Sequence, residues 1–315
     1  MKLTELLGIE LPVIQAPMAG AQASAMAIAV SNAGGLGSLP CAMLTAEGLR
    51  KEMEAIKAQT SRPFNVNFFC HTAPVADAAR ETAWRAALTP YYKHYGIDPA
   101  GIQTGPGRAP FSAEFADVLE EYRPAVVSFH FGLPPADLLK RVKSWRSKIF
   151  CSATTVEEAL FLEAHGVDAV IAQGSEAGGH RGIFLSDDLS TQVGTFALLP
   201  QVVRAVKVPV IAAGGIADAK GVAAAMALGA AGVQIGTAYL LCPEATITAV
   251  HRKALKSAAA RQQESLPGLP RQATRNPLWR SKCRIRLFGL HPLPSPTPRR
   301  ASHGAFTRGV AVGPR

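Results

Sequence analysis

At 315 residues, 48% of them hydrophobic and 18% charged, the chain is long enough for one large α/β domain or two ordinary ones and too apolar to remain unfolded. The formal charge of +10 points to a nucleic acid or membrane partner only until it is located: residues 261–315 hold 11 Lys and Arg against one acid, Glu264, whereas residues 1–260 carry 22 charges of each sign. The body is therefore neutral, and the entire excess sits in the last 55 residues.

Along the body one unit recurs: a short apolar run, a loop marked by Gly or Pro, then an Ala/Leu-rich helical pattern. The strand-like runs are "VIQAPM" (13–18), "GLGSLP" (35–40), "FNVNFF" (64–69), "AVVSFHF" (125–131), "KIFCSAT" (148–154), "AVIAQG" (169–174), "VPVIAAGG" (208–215) and "GVQIGTAYL" (232–240). Helical stretches include 45–60, 154–166 and 218–229, with Thr45 and Thr154 as N-caps and Gly166 and Gly229 as stops. Eight alternating units predict a parallel (β/α)8 TIM barrel over residues 1–260, with a doubly wound open sheet as the alternative. The connection at 70–112 is abnormally long and holds Trp84, Tyr91, Tyr92 and Tyr95. It is expected to form a lid or substrate wall, or else to pack on the side of the barrel.

After residue 260 the chain becomes rich in Pro and Arg and loses all periodicity, which predicts disorder for 261–315. So abrupt a change of character is also what a shifted reading frame, or another replacement of the C-terminus, produces. The five cysteines are odd in number and widely spaced, with no C-x-x-C. They predict a reducing, cytoplasmic setting and no thiolate metal site. The small apolar run 21–30 is flanked too poorly for a secretory signal, and 221–242 suits a buried helix and strand better than a membrane span.

Ligand sites of such barrels lie at the C-terminal strand ends, with phosphate held after strands 7 and 8. The loops there are "AAGGIAD" (212–218) and "IGTAYL" (235–240). Gly214, Gly215, Gly236 and Thr237 thus read as a phosphate cradle built from backbone N–H groups, without a lysine. Other strand ends carry polar groups that a core would not want: Gln15 and Met18 on the first, Asn67 on the third, His130 on the fourth, Gln173 and His180 on the sixth. Amides at Asn67 and Gln173 suit the edge of a heteroaromatic ring, and they also suit a satisfied structural role. His180 lies in "AQGSEAGGHRG" (172–182), where glycines let backbone approach a ligand closely. No carboxylate or thiolate set at ligand spacing supports a metal, and no nucleophile elbow appears.

The stretches "PVIQAPMAG" (12–20), "NAGGLGSLP" (32–40), "FNVNFFCH" (64–71), "SFHFGLP" (128–134), "AQGSEAGGHRG" and "IAAGGIADAKGVAAAMALGAAGVQIGTAYLL" (211–241) occur in this order. Together they resemble the nitronate monooxygenases, FMN-dependent (β/α)8 flavoenzymes, over residues 1 to about 260. The resemblance implies that Gly214, Gly215, Gly236 and Thr237 hold the FMN phosphate. It implies that Met18, Asn67 and Gln173 line the isoalloxazine and ribityl chain, with Gly178 and Gly179 close to the cofactor. His180 would stand beside the reactive flavin face, as a base toward nitroalkanes or an orienting group toward nitronates, and His130 would face the same pocket. The implied partners are a small nitronate and O2, giving a carbonyl compound and nitrite. Two other readings stay open: an FMN-dependent enoyl-acyl carrier protein or NADH:quinone reductase of the same superfamily, and a nucleic-acid-binding role for the basic tail.

Overall fold

The structure, a computed structural model, describes residues 2–72, 77–102 and 108–257. The basic tail with its expected disorder lies outside the described residues, as do parts of the 70–112 connection.

Eight strands form one parallel sheet: β1 (Val13–Gln15), β2 (Gly37–Pro40), β3 (Phe64–Phe69), β4 (Val126–His130), β5 (Lys148–Ala153), β6 (Ala169–Gln173), β7 (Val210–Ala213) and β8 (Gly232–Ile235). Neighbours pair in sequence order from β2 to β8, and β8 pairs with β1. The circle closes through an Ile14–Leu36 bridge, where Gln15 N–H donates to Leu36 O at 3.0 Å and Leu36 N–H donates to Val13 O at 2.9 Å. This is the predicted TIM-like barrel rather than an open sheet.

The helices are α1 (Leu3–Leu7), α2 (Ser24–Asn32), α3 (Ala46–Gln59), α4 (Ala78–Tyr95), α5 (Ala113–Tyr122), α6 (Ala136–Ser144), α7 (Val156–Ala164), α8 (Thr195–Ala205), α9 (Ala219–Ala227) and α10 (Ala249–Leu255). Thr45 caps α3 as expected, accepting from Gly48 N–H. At α7 the cap is Thr155, not Thr154, because the Thr154 hydroxyl is drawn to the buried Glu158 carboxylate. The last strand-like run ends at Ile235, where Gly236 turns into the right-handed helical region and residues 237–241 wind into a 3-10 turn. No helix among the described residues is long and apolar enough to cross a membrane.

Strand alternation divides the interior. Val66, Phe68, Val127, Phe129, Ile149 and Val170 point outward and pack under the helices. Ile14, Leu36, Val126, Phe150, Ile171 and Ile211 point inward and fill the N-terminal half of the barrel. Leu3 of α1 completes this inner cluster from below, fully buried, with its N–H donating to Ala231 O at 3.0 Å. Toward the C-terminal ends the inward positions turn polar, through Ser38, Asn65, Asn67, Ser128, Ser152 and Gln173, all buried. A buried polar layer needs partners, and part of it is satisfied internally: Asn65 Nδ2 donates to Ser38 Oγ at 3.0 Å and Asn67 Nδ2 to Ser128 Oγ at 2.9 Å.

The long connection leaves at the top of β3 and returns at Phe111, whose N–H donates to Phe69 O at 2.8 Å. Its helix α4 buries none of its residues, while Phe111 is buried against Phe68 at a ring separation of 4.9 Å. Replacing Leu3 by Ala would open a cavity at the floor of the barrel. We expect a loss of about 2–5 kcal/mol, read as a lower urea midpoint; an unchanged midpoint would mean that α1 does not seal the barrel.

Candidate active site

The loop that follows β6 is fixed by the strand ends on either side. His180 O accepts two hydrogen bonds, from Gln173 Nε2 at 2.9 Å and from His130 Nε2 at 3.2 Å. The second amide atom of Gln173, Oε1, accepts from Gly182 N–H at 2.7 Å, so one side chain clamps both sides of His180. A carbonyl can only accept, so His130 carries its proton on Nε2, and its Nδ1 accepts from Ser152 Oγ at 2.9 Å. Both ring nitrogens of His130 are therefore engaged with protein groups. Gly182 is required by this packing, since a Cβ there would lie 2.9 Å from His130 Cε1.

Arg181, buried next to His180, folds back beneath the loop. Its guanidinium donates to the carbonyls of Gly174 and Gln173 and to Gln192 Oε1. Gln192 Nε2 continues to Thr154 Oγ1 at 3.0 Å, which donates to Glu158 Oε2 at 2.8 Å. Glu158, itself buried, also accepts from Thr154 N–H at 2.6 Å and from Phe184 N–H at 2.6 Å. Sequence reasoning missed this network. The signal for Glu158 was present as the Thr155-x-x-Glu158 spacing at a helix start, but its carboxylate turns to Thr154 and to the loop beyond His180. Nothing in the spacing announces the inward fold of Arg181.

The predicted cradle residues lie on two loops, after β7 and after β8. Gly214 and Gly215 have φ of +118° and +69°, a left-handed turn that favours glycine. Beside them Glu176 accepts from Thr195 N–H at 2.7 Å and its hydroxyl at 3.0 Å, so its charge faces the start of α8. A Cβ on Gly236 would sit 3.5 Å from Met18 Sδ, and one on Gly178 would sit 3.7 Å from Thr237 Oγ1. The loops after β1, β6 and β8 thus meet at one point. Among the described residues, no backbone turn hydrogen bond uses the N–H of Gly215, Gly236 or Thr237. Gly179 lies in the same stretch at φ +75°, with open space where a Cβ would project.

The His180 side chain stands in a ring cluster. His180 meets Phe69 edge-on at 5.4 Å and Phe131 at 5.9 Å, and the two phenylalanines meet each other at 5.1 Å. Phe131 holds φ of +67°, an uncommon conformation for a bulky residue, sustained by its packing between β3 and β4. Burial above all, with the charge of Arg108 and the nearby His71, lowers the His180 imidazole to about 4. Burial, reinforced by His180, lowers His130 to about 3. Both rings are neutral near pH 7. Gln15 is committed elsewhere: its Oε1 accepts from Ser38 N–H at 3.0 Å, and its amide nitrogen donates to Gln22 and to Ala16 O. Among the described residues no group of three or more His, Cys, Asp and Glu is arranged to hold a metal.

A family model described as nitronate monooxygenase matches residues 1–266. The chain belongs to the nitronate monooxygenase family. The nitronate monooxygenase of Paraburkholderia phytofirmans is 48% identical over 264 residues, covering 82% of this chain and 71% of that protein. The nitronate monooxygenase of Pseudomonas aeruginosa is 45% identical over 261 residues, covering 82% of this chain and 74% of that protein. Among solved structures, nitroalkane oxidase from Streptomyces ansochromogenes superposes with a TM-score of 0.72 at 38% identity, covering 82% of this chain and 74% of that one. FabK from Thermotoga maritima superposes with a TM-score of 0.62 at 32% identity, covering 81% of this chain and 67% of that one.

Because His130 and His180 stay neutral in the fold while the unfolded chain protonates them, folding stability should fall as pH drops from about 6.5 toward 4. Each contributes a slope of at most about 1.4 kcal/mol per pH unit in that window. Urea midpoints at pH 7 and pH 5 measure it: a drop is expected, and His130→Asn should flatten it. A pH-independent midpoint would rule out neutral, buried histidines.

Proposed function

We propose that this chain oxidises small alkyl nitronates with O2, giving the carbonyl compound and nitrite, with FMN as its cofactor and the cytoplasm as its setting. The observation that carries this reading is the meeting of Met18, Gly178, Gly236 and Thr237 beside the His180 loop. A glycine-lined cradle with outward N–H groups, next to a neutral imidazole and two aromatic rings, fits a phosphate-bearing, planar redox cofactor. FMN, when bound, supplies the electron-accepting chemistry and the reaction with O2.

The residues of the chain do the rest. Gly214, Gly215, Gly236 and Thr237 receive the phosphate through backbone donors and one hydroxyl. Met18 and the glycines at 178 and 179 lie against the cofactor, and Asn67 presents its amide from the inner face of β3. Gln173 and His130 act by position: through His180 O they set where the His180 ring stands. His180 is neutral, so its ring can accept the α-proton of a nitroalkane or donate to an oxygen of a nitronate that needs no deprotonation. Phe69 and Phe131 wall the same space and exclude water from it.

His180→Asn should lower kcat/KM for a nitronate by about 100-fold or more while FMN content is retained. Nitrite release measured with ethyl nitronate decides it; undiminished turnover would remove His180 from the reaction. NADH consumption without a nitronate would instead favour the reductase reading.

A further inference from the structure

Two buried nitrogens beside His180 have no partner of their own. His71 is 8% exposed, and its Nδ1 is buried without a hydrogen-bond partner; the same is true of Arg108 Nε. They sit at the two ends of the long connection after β3. His71 and Arg108 are neighbours, since the Arg108 charge bears on the His71 imidazole. Phe111, three residues on from Arg108, is anchored to Phe69 O, which keeps this end of the connection on the top of β3.

His71 also stands across the same aromatic pair as His180. Its ring lies 6.2 Å from Phe69 and 6.1 Å from Phe131, each of which contacts His180 edge-on from another side. Leaving a buried guanidinium N–H unmade is costly, and a site that tolerates this is built for a group that arrives later. The group must accept hydrogen bonds, and a fixed positive charge selects an anion.

Taking the proposed nitronate oxidation as its basis, we infer that His71 and Arg108 form an anion-recognition pair that admits the ionised, planar nitronate and discriminates against its neutral nitroalkane parent. The pair adds nothing to electron transfer; it determines which protonation state of the substrate is held against His180. A neutral nitroalkane leaves the guanidinium charge uncompensated in a partly buried site, whereas the nitronate spreads its charge over two oxygens that match planar donors.

The test uses the full chain loaded with FMN and two ligands. Nitrate is an unreactive planar anion whose binding is followed by calorimetry, and ethyl nitronate is followed by steady-state kinetics. Arg108→Gln should weaken nitrate binding and raise KM for the nitronate by about tenfold or more, with kcat changed far less. Arg108→Lys should restore part of the nitrate affinity, and His71→Asn should give a smaller loss than Arg108→Gln. The binding constant of neutral nitroethane should not weaken in any of the three. If Arg108→Gln, with FMN content and unfolding midpoint intact, binds nitrate as well as the parent does, the pair is not an anion site; nitrate binding absent from the parent chain overturns it equally. Since nitrate binding needs no turnover, a chain that binds nitrate through Arg108 yet leaves nitronates unoxidised would sink the proposed reaction and spare the anion pair.

Discussion

The site depends on one carbonyl oxygen. His180 O takes an N–H from Gln173 and another from His130, and through them a flexible glycine loop is tied to two strands of the barrel. Those donors fix the histidine end of the loop, while Ser175 N–H donating to Val193 O at 2.8 Å and Glu176 accepting from Thr195 N–H at 2.7 Å hold its start; the glycines between them would otherwise lose much entropy on ordering. The loop is also set from below by the Arg181 guanidinium and laterally by Glu158 on α7. The consequence is that a ring able to meet substrate is mounted on strand-borne groups. A site held this way keeps its geometry without relying on the loop's own preferences.

This arrangement explains the division of the barrel interior. An apolar lower half, closed by Leu3, provides the burial that stabilises the fold. The polar upper half would be a liability if left unsatisfied, and several of its members instead hold one another: Asn67 with Ser128, Ser152 with His130, Gln173 with the loop. Burial there also keeps the imidazoles neutral. That sets the chemistry offered at pH 7, because a neutral ring can either accept or donate a proton.

The barrel was legible because its signals are local and repeated. "FNVNFF" appears as a strand with the expected bounds and "KIFCSAT" as one that stops a residue earlier, at Ala153, and Gly166 and Gly229 fall just past their helices at positive φ. The glycines directly after β7 and β8 were legible for the same reason. What stayed hidden depends on side chains that reach across sequence. Arg181 lies one residue from the histidine that the motif singles out, yet its direction follows from the carbonyls left open at Gly174 and Gln173. Phe69 reads as an ordinary strand residue; only its inward register and the return of the chain at Phe111 bring it against His180. Thr154 was misjudged as a cap because Glu158, a charge on a helix, does not look buried in a linear reading.

The central claim is that backbone donors from the loops after β7 and β8 grip a phosphate. The most direct measurement is a fluorescence titration of the flavin-free chain with FMN and, separately, with riboflavin, which differs only in lacking the phosphate. The account predicts saturable one-to-one binding of FMN, about 100-fold or more tighter than riboflavin, as two to three charge-assisted hydrogen bonds would give. Equal affinity for the two flavins, or no binding of FMN at all, would contradict it.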